Sequence, residues 1–209
     1  LPVLIDMQFN GIFIDKDYLE NRSNEIGKKI ESLESEIIDL AGEEFNLNSS
    51  QQLAVILFDK LKLPMIKKRS TAEAVLSELK YKHPLPELML SYRKLYKLKN
   101  TYLDPLPSYI DPNTKRVHSS FNQTMTATGR LSTSSPNFQN IPIRTEDGKE
   151  IRKAIKAQSN EYQIFSADYS QVELRVMAHL SGDETLISAL NNGEDIHTFT
   201  AKNIFNIDN

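Results

Sequence analysis

The 209-residue sequence contains no cysteine, so disulfides and thiolate zinc sites are excluded, an absence that suits a reducing compartment. Nor does any apolar stretch approach the roughly 18 residues of a membrane span. The N-terminal LPVLIDMQFNG lacks the basic flank and small-residue cleavage site of a signal peptide. A soluble, cytoplasmic protein with no membrane partner is the expectation. No internal repeat or low-complexity tract is present, which removes solenoids and disordered linkers. The first residue is Leu rather than Met, so the chain is expected to be a piece of something longer. What the sequence does hold is 39% hydrophobic residues, enough for one sizeable core or two small ones.

Charge is present but unevenly placed. The net charge is −3, yet residues 59–130 carry 14 basic against 6 acidic side chains, between an acidic segment before them and another after. A basic stretch inside an acidic chain is either an electrostatic footprint for nucleic acid or a solvated helix surface, and charge alone does not choose.

Periodicity organises the first half. Ile26, Ile30, Leu33, Ile37 and Leu40 recur at spacings of four and three, a long amphipathic helix that follows Asp15-Lys16-Asp17 and ends near Gly42. Leu88, Tyr92, Leu95 and Tyr102 repeat the pattern between Pro84-Leu85-Pro86 and Asp104-Pro105, so the two helices are expected to pack antiparallel. Asn48-Ser49-Ser50 reads as the cap of a helix over 51–60, and Ser70-Thr71 as the cap of one over 72–79. The Pro-rich DPLPSYIDPNTKRVH reads as a linker at 105–116. Extended segments are expected near 117–125 and 162–168, followed by three helices.

The second half carries the chemistry. In FSADYSQVELR an apolar run, taken as a strand, ends on Asp168 where a helix begins. Such a carboxylate either holds a metal ion or is simply favoured at the positive pole of the helix. Ser170 and Glu173 have the spacing of a capping box, and Val172, Val176, Met177 and Leu180 mark the apolar face of the helix it opens. Asp195 reads as the N-cap of a further helix with His197 in its first turn, where backbone N–H groups favour an anion. TATGRLSTSSPNFQNIPIR, residues 126–144, sets Gly129, Pro136 and Pro142 among hydroxyls, amides and two arginines, of which Arg130 and Arg144 can donate to phosphates or base edges. A stretch of that length and composition is more often functional than idle.

Taken in order, TATGRLSTSSPNFQNIPIR, DYSQVELRVMAHLSGDE and DIHT resemble the family A DNA polymerases, the bacterial DNA polymerase I group. The likeness extends through DMQFNGIFID, FNLNSSQQL, RSTAEAVL, YRKLYKLKNTYLDPLP and VHSSFNQT, and so covers nearly the whole chain. It implies an α+β fold, with a mostly helical thumb-like subdomain at 1–104, the linker at 105–116, and over 117–209 part of an antiparallel palm sheet with helices and the start of the fingers. The implied activity is template-directed addition of deoxynucleotides to a primer 3′-OH by two-metal phosphoryl transfer, in replication and repair.

The resemblance also implies roles for individual residues. Asp168 is one of the carboxylates holding the Mg²⁺ pair, with the Tyr169 carbonyl as a further ligand. Gln171 and His197 reach the triphosphate, and Glu173 lies beneath the sugar and helps to exclude a 2′-OH. Arg130 enters the minor groove at the primer terminus, where correct base pairs look alike. Gln139, Asn140 and Arg144 contact template or primer. Asn48, Ser49, Lys67, Lys68 and Arg69 grip the duplex backbone. Primer–template DNA and deoxynucleoside triphosphates are the implied partners.

Two departures accompany the likeness. The Lys/Thr/Gly-rich stretch usual before RST is replaced by IKKRST, and the fingers helix and the second catalytic carboxylate are expected beyond Asn209. A strand at 162–168 would then need a neighbour, borrowed by self-association if not supplied by its own chain. One carboxylate and one carbonyl make a weak Mg²⁺ site, so the fragment alone is expected to be inactive. The alternative is a non-catalytic primer–template binding module. Phage-type single-subunit RNA polymerases share the fold, but they place a small residue where Glu173 stands.

Overall fold

A computed structural model describes residues 1–142 and 146–205. The chain forms two compact units, Leu1–Tyr162 and Gln163–Asn209. The fold class is α+β: helices predominate, and two small antiparallel sheets accompany them.

In the first unit, helix α1 (Pro2–Asn10) leads into strand β1 (Ile12–Phe13) and then α2 (Lys16–Ala41). Asp15 starts α2 because its carboxylate accepts from the Tyr18 N–H at 2.9 Å, and Gly42 ends it in the left-handed region at φ 73°. Leu19, Ile26, Ile30, Ile37 and Ala41 form the buried stripe. Opposite lies α5 (Leu85–Leu98), which buries Leu85, Met89, Tyr92 and Leu98 and runs antiparallel to α2 as its periodicity predicts. The pair α3 (Ser50–Ala54) and α4 (Glu73–Leu79) completes the helical layer. Leu53, Leu57, Leu76 and Leu79 are fully buried there.

Two helices end in a wider form. After α3 the chain continues as a π-helix over Val55–Lys60, and after α5 as another over Lys99–Leu103, where the Asp104 N–H donates to the Lys99 carbonyl at 3.0 Å. A polar cluster closes the second: the Ser23 hydroxyl donates to Asp104 Oδ1 at 2.5 Å, and Lys99 Nζ donates to both, at 2.5 and 2.9 Å.

The expected linker, 105–116, runs within this first unit. Leu106 is buried, and Ile110 bridges to Val117. Strand β2 (Arg116–Val117) pairs with β1, Ile12 opposite Val117, while β3 (Ser120–Asn122) pairs with β4 (Ser132–Ser134). Helix α6 (Glu146–Arg152), which the sequence pattern did not announce, returns to the start of α2. Its Glu150 accepts from the Tyr18 hydroxyl at 3.0 Å, and the Ala154 carbonyl accepts from the Asp15 N–H at 2.8 Å. At the start of α6, Gly148 lies against the Pro142 carbonyl, where a Cβ would find no room.

The second unit holds α7 (Val172–Ser181), α8 (Glu184–Asn191) and α9 (Ile196–Phe205), the three helices expected. Several readings are corrected. Residues 162–168 form no strand; a strand needs a partner to take its backbone hydrogen bonds, and no described strand or bridge pairs with this segment. That removes the open sheet edge on which self-association was expected. Ser170 does not cap α7, because Gln171 occupies the N-cap in a left-handed conformation at φ 52°, which breaks the box spacing to Glu173. Finally, Val172, Val176, Met177 and Leu180 are exposed, whereas Leu174 and Ala178 pack with Leu186, Ala189, Leu190 and Ile196 in a small core. Ser70-Thr71 is likewise not the cap of α4, whose N-cap is Ala72; the Ser70 hydroxyl accepts from the Ala72 N–H instead.

Candidate nucleotide and nucleic-acid sites

Asp168 and Tyr169 lie exposed in the irregular segment that leads into α7. Glu173 follows in the first turn of that helix, close to its positive end, where a carboxylate is stabilised. These residues do not by themselves fit a Mg²⁺ ion. Asp168 offers one carboxylate, and among the described residues no group of three His, Asp or Glu side chains could hold a metal.

Gln171 and the start of α9 are brought together. The Gln171 amide donates from Nε2 to Asp195 Oδ2 at 3.3 Å. Asp195 Oδ1 meanwhile caps α9, accepting from the Thr198 N–H at 2.8 Å and the Thr198 hydroxyl at 3.0 Å. The backbone of His197 is in the first turn of α9; its side chain lies outside the described residues, as does Arg144. The capping role read for Asp195 from sequence holds. Its contact with a residue 24 positions earlier has no local signature.

In the first unit the 126–142 segment is braced from within. Gln139 Oε1 accepts from the Thr133 N–H at 3.1 Å while its Nε2 donates to the Leu131 carbonyl at 3.1 Å. Asn137 accepts from the Thr133 hydroxyl and from the Gln139 N–H. The Tyr102 hydroxyl, from the far end of the α5 extension, donates to the Asn140 carbonyl at 2.6 Å. Held this way, Arg130 is presented on an exposed turn beside Gly129, which sits at φ 75°. The Arg130 carbonyl accepts from the Thr126 hydroxyl at 2.5 Å.

A second locus lies at the N-terminus of α3. Ser49 is its N-cap, accepting from the Gln52 N–H at 3.3 Å, and the Asn48 amide donates to the Tyr92 hydroxyl at 3.3 Å. Both residues thus have local structural duties. Beside them a depression of about 660 Å³ is lined by Ser50, Gln51, Arg69, Ser70, Thr71 and Arg93. Lys67 and Lys68 are exposed next to it, Lys68 at φ 47°. Arg69 pairs bidentately with Asp59, at 2.7 and 2.6 Å, and the guanidinium holds the Asp59 carboxyl below its ordinary range. Its charge is therefore already partnered. Arg93 escaped the sequence reading: half-buried, it donates to the Thr71 carbonyl at 2.5 Å and to the Thr71 hydroxyl at 3.3 Å, and burial lowers its pKa. The signal available was the basic run of YRKLYKLK in α5.

No described helix is long and apolar enough to cross a membrane. The sequence matches the profile of DNA polymerase family A over residues 16–209. It is 52% identical to the thermostable DNA polymerase I of Thermus caldophilus and 46% identical to DNA polymerase I of Bacillus subtilis, each alignment covering 98% of this chain. The chain spans about a quarter of the length of these curated relatives, 25% and 24%. The polymerase domain of Pol1 from M. smegmatis, solved in complex with DNA primer-template and dNTP, superposes with a TM-score of 0.83 at 40% identity, over 98% of this chain and 37% of that one. Motif order, a profile match across nearly the whole length and a shared fold agree: the chain belongs to DNA polymerase family A.

Proposed function

We propose that this chain is the thumb-like and early palm portion of a template-directed DNA polymerase that adds deoxynucleotides to a primer 3′-OH in replication and repair. The observation that carries this reading is the fold shared with a polymerase domain solved with primer-template and dNTP, at 40% identity over 98% of the chain. Residues 1–104 are assigned to the thumb, and 117–209 to the palm and the start of the fingers, joined through 105–116.

Within that assignment Asp168, with the Tyr169 carbonyl, contributes one carboxylate to a Mg²⁺ pair whose remaining ligands are not among the described residues. Gln171 and His197 face the triphosphate and Glu173 the sugar. The contact between Gln171 and the cap of α9 supports the first of these, since it gathers two elements with nucleotide roles at one place. Arg130, Asn140 and Arg144 serve the primer and template strands. Gln139, whose amide is spent on Leu131 and Thr133, serves by shaping the turn and keeps one N–H for a strand. Asn48, Ser49, Lys67, Lys68 and Arg69 line the duplex backbone. Sequence-independent binding of this kind weakens steeply with salt.

The test is primer extension by the longer polymerase that carries this chain, with Asp168→Ala alongside. Incorporation is expected to fall roughly a thousandfold or more, with primer–template binding retained. Undiminished incorporation by the variant would overturn the assignment. The 209 residues alone are expected to bind duplex at low salt without extending it.

A further inference from the structure

We infer that Asp195 is a positioning residue for the incoming nucleotide, using its two carboxylate oxygens on two different elements. The inference rests on the reading of Gln171 and His197 as nucleotide contacts.

The carboxylate reaches two elements. Oδ1 does what any N-cap does, accepting from the Thr198 N–H at 2.8 Å and the Thr198 hydroxyl at 3.0 Å. Oδ2 accepts from Gln171 Nε2 at 3.3 Å. Gln171 needs such help. Its backbone is left-handed, at φ 52°, where a residue with a Cβ is disfavoured, and it stands at the N-cap of α7 with no side-chain cap bond of its own. A long amide has many rotamers, and fixing one in advance spares that entropy when a ligand arrives. Asp195 therefore aims the Gln171 amide and, through the same side chain, ties it to the turn that carries His197. One N–H of Gln171 Nε2 is used by the carboxylate, which leaves the second N–H to donate to a triphosphate oxygen and Oε1 to accept from a bridging water.

Capping and bridging can be separated by substitution. Asp195→Ser keeps a good N-cap but is too short to reach Gln171. Asp195→Asn caps equally well and restores the bridge if the Gln171 amide turns over to present Oε1. In the longer polymerase, Asp195→Ser is expected to raise the KM for dNTP about threefold to tenfold, the range for losing one partly solvated charged hydrogen bond. The kcat, the Kd for primer–template and the Tm should stay close to those of the parent, and Asp195→Asn should recover most of the lost affinity. In a Gln171→Ala background, Asp195→Ser should add nothing.

Three outcomes overturn the inference. If Gln171→Ala raises KM but Asp195→Ser does not, positioning by Asp195 is wrong while the nucleotide role of Gln171 stands. An equal penalty for Asp195→Ser with and without Gln171 would show that it acts by another route. If Gln171→Ala leaves KM unchanged, the underlying nucleotide assignment fails, and this inference with it.

Discussion

The two units of this chain solve the burial problem differently. Leu1–Tyr162 encloses a continuous core of Leu, Ile, Met and Tyr from α2 through α6, and polar clusters such as Ser23–Lys99–Asp104 close its edges. Gln163–Asn209 buries Ala178, Ala189, Leu190 and Ile196, while Phe165, Tyr169, Met177 and Leu180 face solvent, Phe165 at 90% exposure. The residues proposed for chemistry belong to the second unit and those proposed for the duplex backbone to the first. An amphipathic pattern states that a face is apolar; which neighbour covers it is decided elsewhere.

That contrast can be broken most forcefully by making the same change in both units. Leu76→Ala, at a fully buried position, should destabilise the first unit by about 2–5 kcal/mol in denaturant titration, whereas Leu180→Ala, at 78% exposure, should stay within about 0.5 kcal/mol. Equal penalties would mean that the exposed face of α7 is buried in solution.

A pH titration sharpens it next. Burial, followed by the nearby Glu34 carboxylate, pushes the Tyr92 hydroxyl up to about 12. The phenol must stay protonated in the folded unit, so its contribution is complete below the ordinary tyrosine value of about 10 and is lost as pH rises toward 12. The expected loss between those values is on the order of 2–3 kcal/mol, and it should vanish in Tyr92→Phe, measured as Tm against pH. A Tm in Tyr92→Phe that falls as steeply as in the parent would sink the assignment.

Ser49→Ala tests a smaller difference, between a residue that caps and one that also binds. Loss of the cap should cost about 1 kcal/mol of stability. If the hydroxyl serves only α3, duplex affinity should be unmoved; a parallel loss of binding would assign it both roles. Smallest of all is Asp59→Asn. The pair with Arg69 is exposed, and its removal should leave stability nearly unchanged. Because the change releases a guanidinium beside Lys67 and Lys68, primer–template affinity at low salt should rise, with a salt slope steeper by about one. Unchanged binding would remove Arg69 from the duplex surface.

Much of the first unit was legible because its signals are local. Asp15, the four-and-three spacing from Ile26 and Gly42 lie within one helix and mean the same thing in any context. The motif runs gave the family for a similar reason: they carry identity in residue type and order. What failed was non-local. A strand at 162–168 was inferred from an apolar run, but strands exist only in pairs, and its partner could not be read from the run itself. The capping box at Ser170 lost to a left-handed Gln171, a backbone choice with no residue-type signature at that position. Arg93 and Thr71, or Gln171 and Asp195, meet through the fold, so neither contact was visible until the chain was folded.

The π-helical turn at Lys99–Leu103 has a consequence for how this chain tolerates insertion and loss of residues. Such a turn is an α-helix carrying one surplus residue, and each helical residue turns the chain by about 100°. The surplus sets the direction in which Tyr102 leaves the helix, toward the Asn140 carbonyl it meets at 2.6 Å. Deleting one residue between 99 and 103 would regularise the helix and swing the phenol off the 126–142 loop. A change that improves the local hydrogen bonding would thus unmoor a loop some forty residues away.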